Sequence, residues 1–278
     1  MQGSSTPLIE VRFLYAGPVF RPVAQWKSSG LRNQQSGVRI SPGRPVKYTM
    51  RSQEDIARIK SRIEDPYSVD NFITSEQIAY LIDLFDNHEN KIQKNTGPVT
   101  VNLDFTDPVV ADIVSQLKEL IGPFDITAGF FFTTDYPHII HNDDTFELPE
   151  VYKGITIPLK TYGADSVPDL CFFDQFYFQG PAKFFNGDTD IPTYYNRQVY
   201  DYTDVDGAIG SMIIDESTRC QYFTHLKTQW LKGLTLWGTL KWRPTSALIF
   251  DSTRLHCASD FRQQGITRKL GISIFTKL

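Results

Sequence analysis

Tyr136-Pro137-His138-Ile139-Ile140-His141-Asn142-Asp143 is the stretch around which this 278-residue chain is organised. In an extended conformation side chains alternate between faces, so His141 and Asp143 point one way and Asn142 the other. One imidazole and one carboxylate then converge on a single point. A third ligand far along the chain would complete a 2-His-1-carboxylate set, the arrangement that leaves open coordination positions on Fe(II). His256, at the end of the apolar run that starts at Ser246, is the candidate. A lone His-x-Asp also fits a polar pair on a surface turn, so order and spacing carry the reading. Here His-x-Asp is followed by a long interval, a strand-like run ending in His256, then Arg268 and a final alternating strand.

In Arg268-Lys-Leu-Gly-Ile-Ser-Ile-Phe, alternation places Arg268 on the side of Leu270, Ile272 and Ile274, the apolar and hence inward side. A buried guanidinium needs a charged partner. The partner is either a protein carboxylate or a dicarboxylate ligand, whose planar end matches the arginine fork. Three other histidines compete for the metal. His88 follows a helical apolar stripe and reads as a solvated helix end, and His225 as a hydrogen-bonded structural residue. His138 falls on the opposite face from His141 in a strand and shares its side only on a turn. Asp144 lies on the wrong face if the strand continues.

Upstream of this stretch the pattern is helical. Ser52 caps a helix carrying Ile56, Ile59 and Ile63, and Asp55 takes the capping-box position. Thr74 and Gln77 form a capping box ahead of Ile78, Leu81, Ile82 and Phe85, while Asp107 and Pro108 open a helix that runs to Gly122-Pro123. After Pro123 short aromatic and β-branched runs take over, separated by Gly, Pro, Asn and Asp. Strands are expected at 126–133, 139–143, 154–159, 170–173, 234–240, 246–250 and 268–276. The aromatic-rich 174–233 is an insert that either lines a substrate groove or packs onto the strands.

Residues 1–49 carry seven basic residues against Glu10 alone, a net of +6, which leaves −10 on the remainder of a chain whose overall charge is −4. An acidic body argues against a nucleic-acid backbone as partner. The leader is rich in Gly, Ser, Pro, Gln and Arg without periodicity, and disorder is expected there. Arg21 to Pro45 resembles the conceptual translation of a transfer-RNA gene, so the leader reads as mis-called or non-native, with Met50 as the start. A transit peptide or basic arm is the alternative. With 41% hydrophobic and 22% charged residues the body is globular. No apolar run is long enough to span a membrane. Cys171, Cys220 and Cys257 lack C-x-x-C spacing and read as reduced thiols of a cytoplasmic protein.

The ordered set of His141, Asp143, His256 and Arg268, with Asp70-Asn-Phe-Ile-Thr-Ser-Glu-Gln as a lead-in, resembles the Fe(II)- and 2-oxoglutarate-dependent oxygenases, in particular the prolyl-hydroxylase-like and phytanoyl-type branch. The resemblance covers residues 66–278. It implies a mainly β (α+β) domain over 50–278: a double-stranded β-helix, the cupin-like jelly-roll barrel, with supporting N-terminal helices. It also implies Fe(II) on His141, Asp143 and His256, 2-oxoglutarate with its distal carboxylate on Arg268, and O2. Hydroxylation of a small molecule or a peptidyl side chain would release succinate and CO2, and the carboxylate of Asp143 fits hydroxylation, or another oxidation such as demethylation or desaturation, rather than halogenation. Phe130-Phe131-Phe132 stands where such proteins often have a tyrosine near the cosubstrate. A non-catalytic cupin-like metal-binding module is the alternative, and a zinc hydrolase on the same three ligands a third reading. Substrate identity and oligomeric state are open.

Overall fold

The computed structural model describes residues 51–89, 91, 99–144, 151–182 and 214–278. The basic leader and the central part of the insert lie outside them. Helices α1 (Gln53–Lys60), α2 (Ser75–Asp86) and α3 (Pro108–Ile121) begin at the expected caps. Ser52 accepts from the Asp55 amide, Thr74 and Gln77 bond reciprocally, and Asp107 accepts from the Val109 and Val110 amides. These bonds satisfy N–H groups that have no partner within the helix.

Among the described residues the strands are β1 (Tyr67–Val69), β2 (Val99–Asn102), β3 (Asp125–Thr134), β4 (Val151–Tyr162), β5 (Asp169–Phe176), β6 (Leu236–Lys241), β7 (Ala247–Asp251), β8 (Arg254–Ala258) and β9 (Arg268–Lys277). They form two antiparallel sheets, β1-β7-β4-β9-β3-β2 and β6-β5-β8, with no closed barrel among these residues. A bridge between His141 and His256 adds the His141 segment to the other edge of β8.

The larger sheet is buried on both faces. On one, Leu270, Ile272 and Ile274 of β9 share a core with Leu81 and Phe85 of α2 and Val110, Ile113 and Leu117 of α3. On the other, Phe132, Leu248 and Phe250 meet Leu170 and Phe172 of the smaller sheet. The Phe172 and Phe250 ring centroids are 5.1 Å apart. The far side of the smaller sheet is covered by the ends of the insert, which include α4 (Glu216–Tyr222) and a 3-10 turn at Thr228–Leu231. Tyr177, Phe223, Trp230 and Leu231 pack there against Cys171, Phe173, Leu255 and Cys257. In the described part of the insert, then, these aromatics serve packing.

Three expectations need correction. Residues 139–143 are not a strand; they are irregular chain joined to β8 by the one bridge at His141. β4 is much longer than 154–159, because the buried Lys153 is held by Asp251 and Glu64, both at 2.9 Å, so a charged residue continues the strand. β1, β2 and β8 were not anticipated as separate strands. None of the helices is long and apolar enough to cross a membrane. Leu117, fully buried beneath the larger sheet, is the test of the helix-covered core: Leu117→Ala is expected to cost about 2–5 kcal/mol in urea denaturation.

Candidate metal centre

The period-two alternation survives at 141–144 even though the segment is not a strand. His141 and His256 exchange backbone hydrogen bonds of 3.0 and 2.9 Å, and the Asp143 amide donates to the Ser252 carbonyl at 2.9 Å. Asn142 and Asp144 point away from the side where His141 and Asp143 converge. Asn142, fully buried, donates from Nδ2 to the Tyr177 and Gly180 carbonyls and accepts from the Ala182 amide through Oδ1. Asp144 is engaged by Arg51.

His141, Asp143 and His256 each offer one atom to a group that lies within 4.8 Å, an arrangement able to hold a metal ion. His141 Nδ1 donates to the Ile139 carbonyl at 2.7 Å, and His256 Nδ1 donates to the Arg254 carbonyl at 3.0 Å. A ring nitrogen beside a carbonyl must carry the proton, so in the neutral ring it is Nε2 that offers a lone pair. Those two lone pairs face the Asp143 carboxylate at 3.5 and 3.6 Å. Acceptor facing acceptor in a buried place is repulsive unless a proton or a metal ion lies between. Carbonyls that fix the tautomer of the ligand imidazoles are what a metal site requires. Burial raises the carboxyl pKa of Asp143 above its ordinary range, and His256 only partly opposes the shift.

The walls are close and apolar. The Phe250 and Phe172 rings lie 4.6 and 5.8 Å from the His256 ring, and the His138 ring stacks on His141 at 4.2 Å. His138 is therefore a neighbour of the site and does not belong to the ligand group. Burial lowers the pKa of His225 to about 4, and it too stands outside the group. Gly154 of β4 passes under the carboxylate, where a Cβ would sit 3.1 Å from Asp143 Oδ2 and 2.7 Å from the Phe250 ring.

Arg268 does not point between the sheets. It is exposed, with its guanidinium over the Tyr162 ring at 4.7 Å. It does share a side with Leu270, Ile272 and Ile274, but that side is the helix-covered face. The opposite face of β9 carries Lys269, Gly271 and Ser273. Lys269 is 3% exposed, and its Nζ lies 4.8 Å from the Trp242 ring and 4.9 Å from the Phe261 ring. Among the described residues no hydrogen bond or ion pair reaches it. Burial lowers its pKa to about 8, opposed only by the Cys171 and Cys257 thiols. The inter-sheet space thus contains a second polar group that needs a partner. Lys269 could have been found by asking which strand faces the apolar stripes of α2 and α3 must cover.

A Gly154→Ala change is expected to weaken divalent-metal binding by about tenfold or more, the scale of perturbed ligand support, with the fold intact by circular dichroism. Calorimetric titration with Co(II) checks it, and unchanged affinity would show that the contact is not tight.

No protein-family model and no curated protein matches the chain. Solved structures similar to it include the non-heme α-ketoglutarate-dependent epimerase SnoN from nogalamycin biosynthesis, 14% identical, with a TM-score of 0.43 over 81% of this chain and 84% of that one. HygX from Streptomyces hygroscopicus, solved with nickel and 2-oxoglutarate bound, is 10% identical, with a TM-score of 0.43 over 81% and 87%. EvdO2 from Micromonospora carbonacea var. aurantiaca is 10% identical, with a TM-score of 0.41 over 83% and 92%.

Proposed function

We propose that this chain is an Fe(II)- and 2-oxoglutarate-dependent oxygenase of the prolyl-hydroxylase-like or phytanoyl-type branch, hydroxylating a small molecule or a peptidyl side chain in the cytoplasm. The observation that carries the reading is the convergence of a metal-ligand set and a buried ammonium on one inter-sheet space. Three ligand atoms call for a cation, and a buried ammonium calls for an anion. A metal chelated by a dicarboxylate meets both.

His141, Asp143 and His256 would hold Fe(II), leaving the remaining positions for the 2-oxo acid and O2. Lys269, in place of Arg268, would bind the distal carboxylate, with Trp242 and Phe261 confining its ammonium. Bound there, the metal would supply O2-dependent oxidative decarboxylation of 2-oxoglutarate to succinate and CO2, coupled to oxidation of a substrate C–H bond. The chain's own residues orient and shield. The Ile139 and Arg254 carbonyls keep the protons on Nδ1 of both histidines, and Phe172 and Phe250 exclude water behind His256. Asp144 is committed to Arg51, so it is not a spare general base for a zinc hydrolase.

Succinate formation from 2-oxoglutarate with Fe(II), ascorbate and O2 tests the proposal. The protein is expected to form succinate and His141→Ala to lose all of it, even in uncoupled turnover. Metal binding without succinate would support the cupin-like binding module instead.

Lys269 gives a pH signature. Its folded pKa of about 8 lies below the ordinary 10.5. Between those values the unfolded chain holds a proton that the folded chain has lost, so stability without ligand rises with pH across that window. Carboxylate binding needs the ammonium, so 2-oxoglutarate affinity is expected to hold steady up to about pH 8 and fall above it. Lys269→Arg should abolish the fall, because a guanidinium stays charged. Lys269→Met should weaken binding by about ten- to a hundredfold, the scale of a lost charge-assisted hydrogen bond, whereas Arg268→Ala should change it little.

A further inference from the structure

We propose that Arg51 is a positioning residue for the metal centre: by pinning Asp144 it decides which of two adjacent carboxylates faces the ligand histidines. The proposal rests on the metal reading above. Asp143 and Asp144 are chemically equal candidates, and the segment that carries them is not a strand, so the ladder alone does not settle which one points inward. Arg51 does. Its guanidinium engages both carboxylate oxygens of Asp144, one of them at 2.7 Å, and neither side chain has any exposure. The same guanidinium donates to the Phe178 carbonyl at 2.7 Å, and the Arg51 amide donates to Gln179 Oε1 at 3.0 Å.

Those contacts form a clamp. Asn142 grips the chain at Tyr177, Gly180 and Ala182, and Arg51 grips it at Phe178 and Gln179. The residues on either side of Asp143 are thereby tied to one short segment after β5. With Asn142 and Asp144 both held outward, alternation leaves Asp143 no other direction. Loss of Arg51 would take the arginine from a buried carboxylate, which is strongly disfavoured. Asp144 would then compete with Asp143 for the metal.

Co(II) binding to the full chain, followed anaerobically by calorimetry and by the visible d–d spectrum, tests this without turnover. Arg51→Met is expected to weaken Co(II) binding by about ten- to a hundredfold, the scale seen when groups that orient metal ligands are removed, and to change the d–d spectrum. The double variant Arg51→Met/Asp144→Leu removes the competing acid and fills the same space with apolar atoms, which a fold tolerates; it should recover the parent spectrum and most of the affinity. A folded Arg51→Met protein with the parent's affinity and spectrum would overturn the proposal, because a purely structural ion pair would leave both unmoved. If Arg51→Met does not fold, Arg51→Lys, which keeps the charge but loses the fork, carries the same test: a partial loss supports the proposal and no change overturns it. Failure of the parent protein itself to bind Co(II) would overturn the metal reading along with it, whereas parent binding with an indifferent Arg51 overturns the clamp alone.

Discussion

Two imidazole lone pairs facing a buried carboxylate are the constraint on which the rest of the structure depends. In their neutral forms His141 and His256 offer Nε2 as a lone pair, because each donates its Nδ1 proton to a backbone carbonyl two residues earlier. Two ring nitrogens and a carboxylate then converge as three possible metal ligands. Such a cluster raises the energy of the chain unless it does something with a cation, and the surroundings are arranged to keep it converged. The bridge between His141 and His256 sets the ring spacing, Gly154 leaves room under the carboxylate, and Asn142 and Asp144 are turned outward and tied down.

The larger sheet makes this possible by having two buried faces with different work. Under α2 and α3 it contributes the stability of an ordinary core. Towards the smaller sheet it exchanges some of that apolar packing for small and polar groups: Gly154 at the ligand end, Ser273 and Gly271 along β9, and Lys269 at the other end. An isolated buried ammonium is costly, and its lowered pKa records that cost. A site that holds a buried ammonium with only aromatic rings beside it among the described residues is one expected to receive a ligand.

Much of this was legible in the sequence. Helix caps at Ser52, Thr74 and Asp107 are local chemistry, and they read correctly. The convergence of His141 and Asp143 was legible because alternation over three residues needs only an extended backbone, not a ladder, and holds although 139–143 is not a strand. The inward placement expected for Arg268 failed for a specific reason. Alternation along β9 was right, but equating the apolar face with the inter-sheet face was wrong, because a sheet covered by helices is apolar on its outer side. Arg268, at the end of that covered face, stacks on Tyr162 in solvent, and Lys269 takes the interior. The pairing of Arg51 with Asp144, across 93 residues, has no local signature at all.

One measurement bears most directly on the claim that the ligand cluster and Lys269 form a single site: anaerobic titration of 2-oxoglutarate into the Fe(II)-loaded protein, followed by visible absorption. The account predicts a weak charge-transfer band of a 2-oxo acid chelated to Fe(II), saturating at one equivalent and absent when succinate replaces 2-oxoglutarate. Fe(II) bound tightly with no such band at saturating 2-oxoglutarate would contradict it, and would leave a metal site without a cosubstrate.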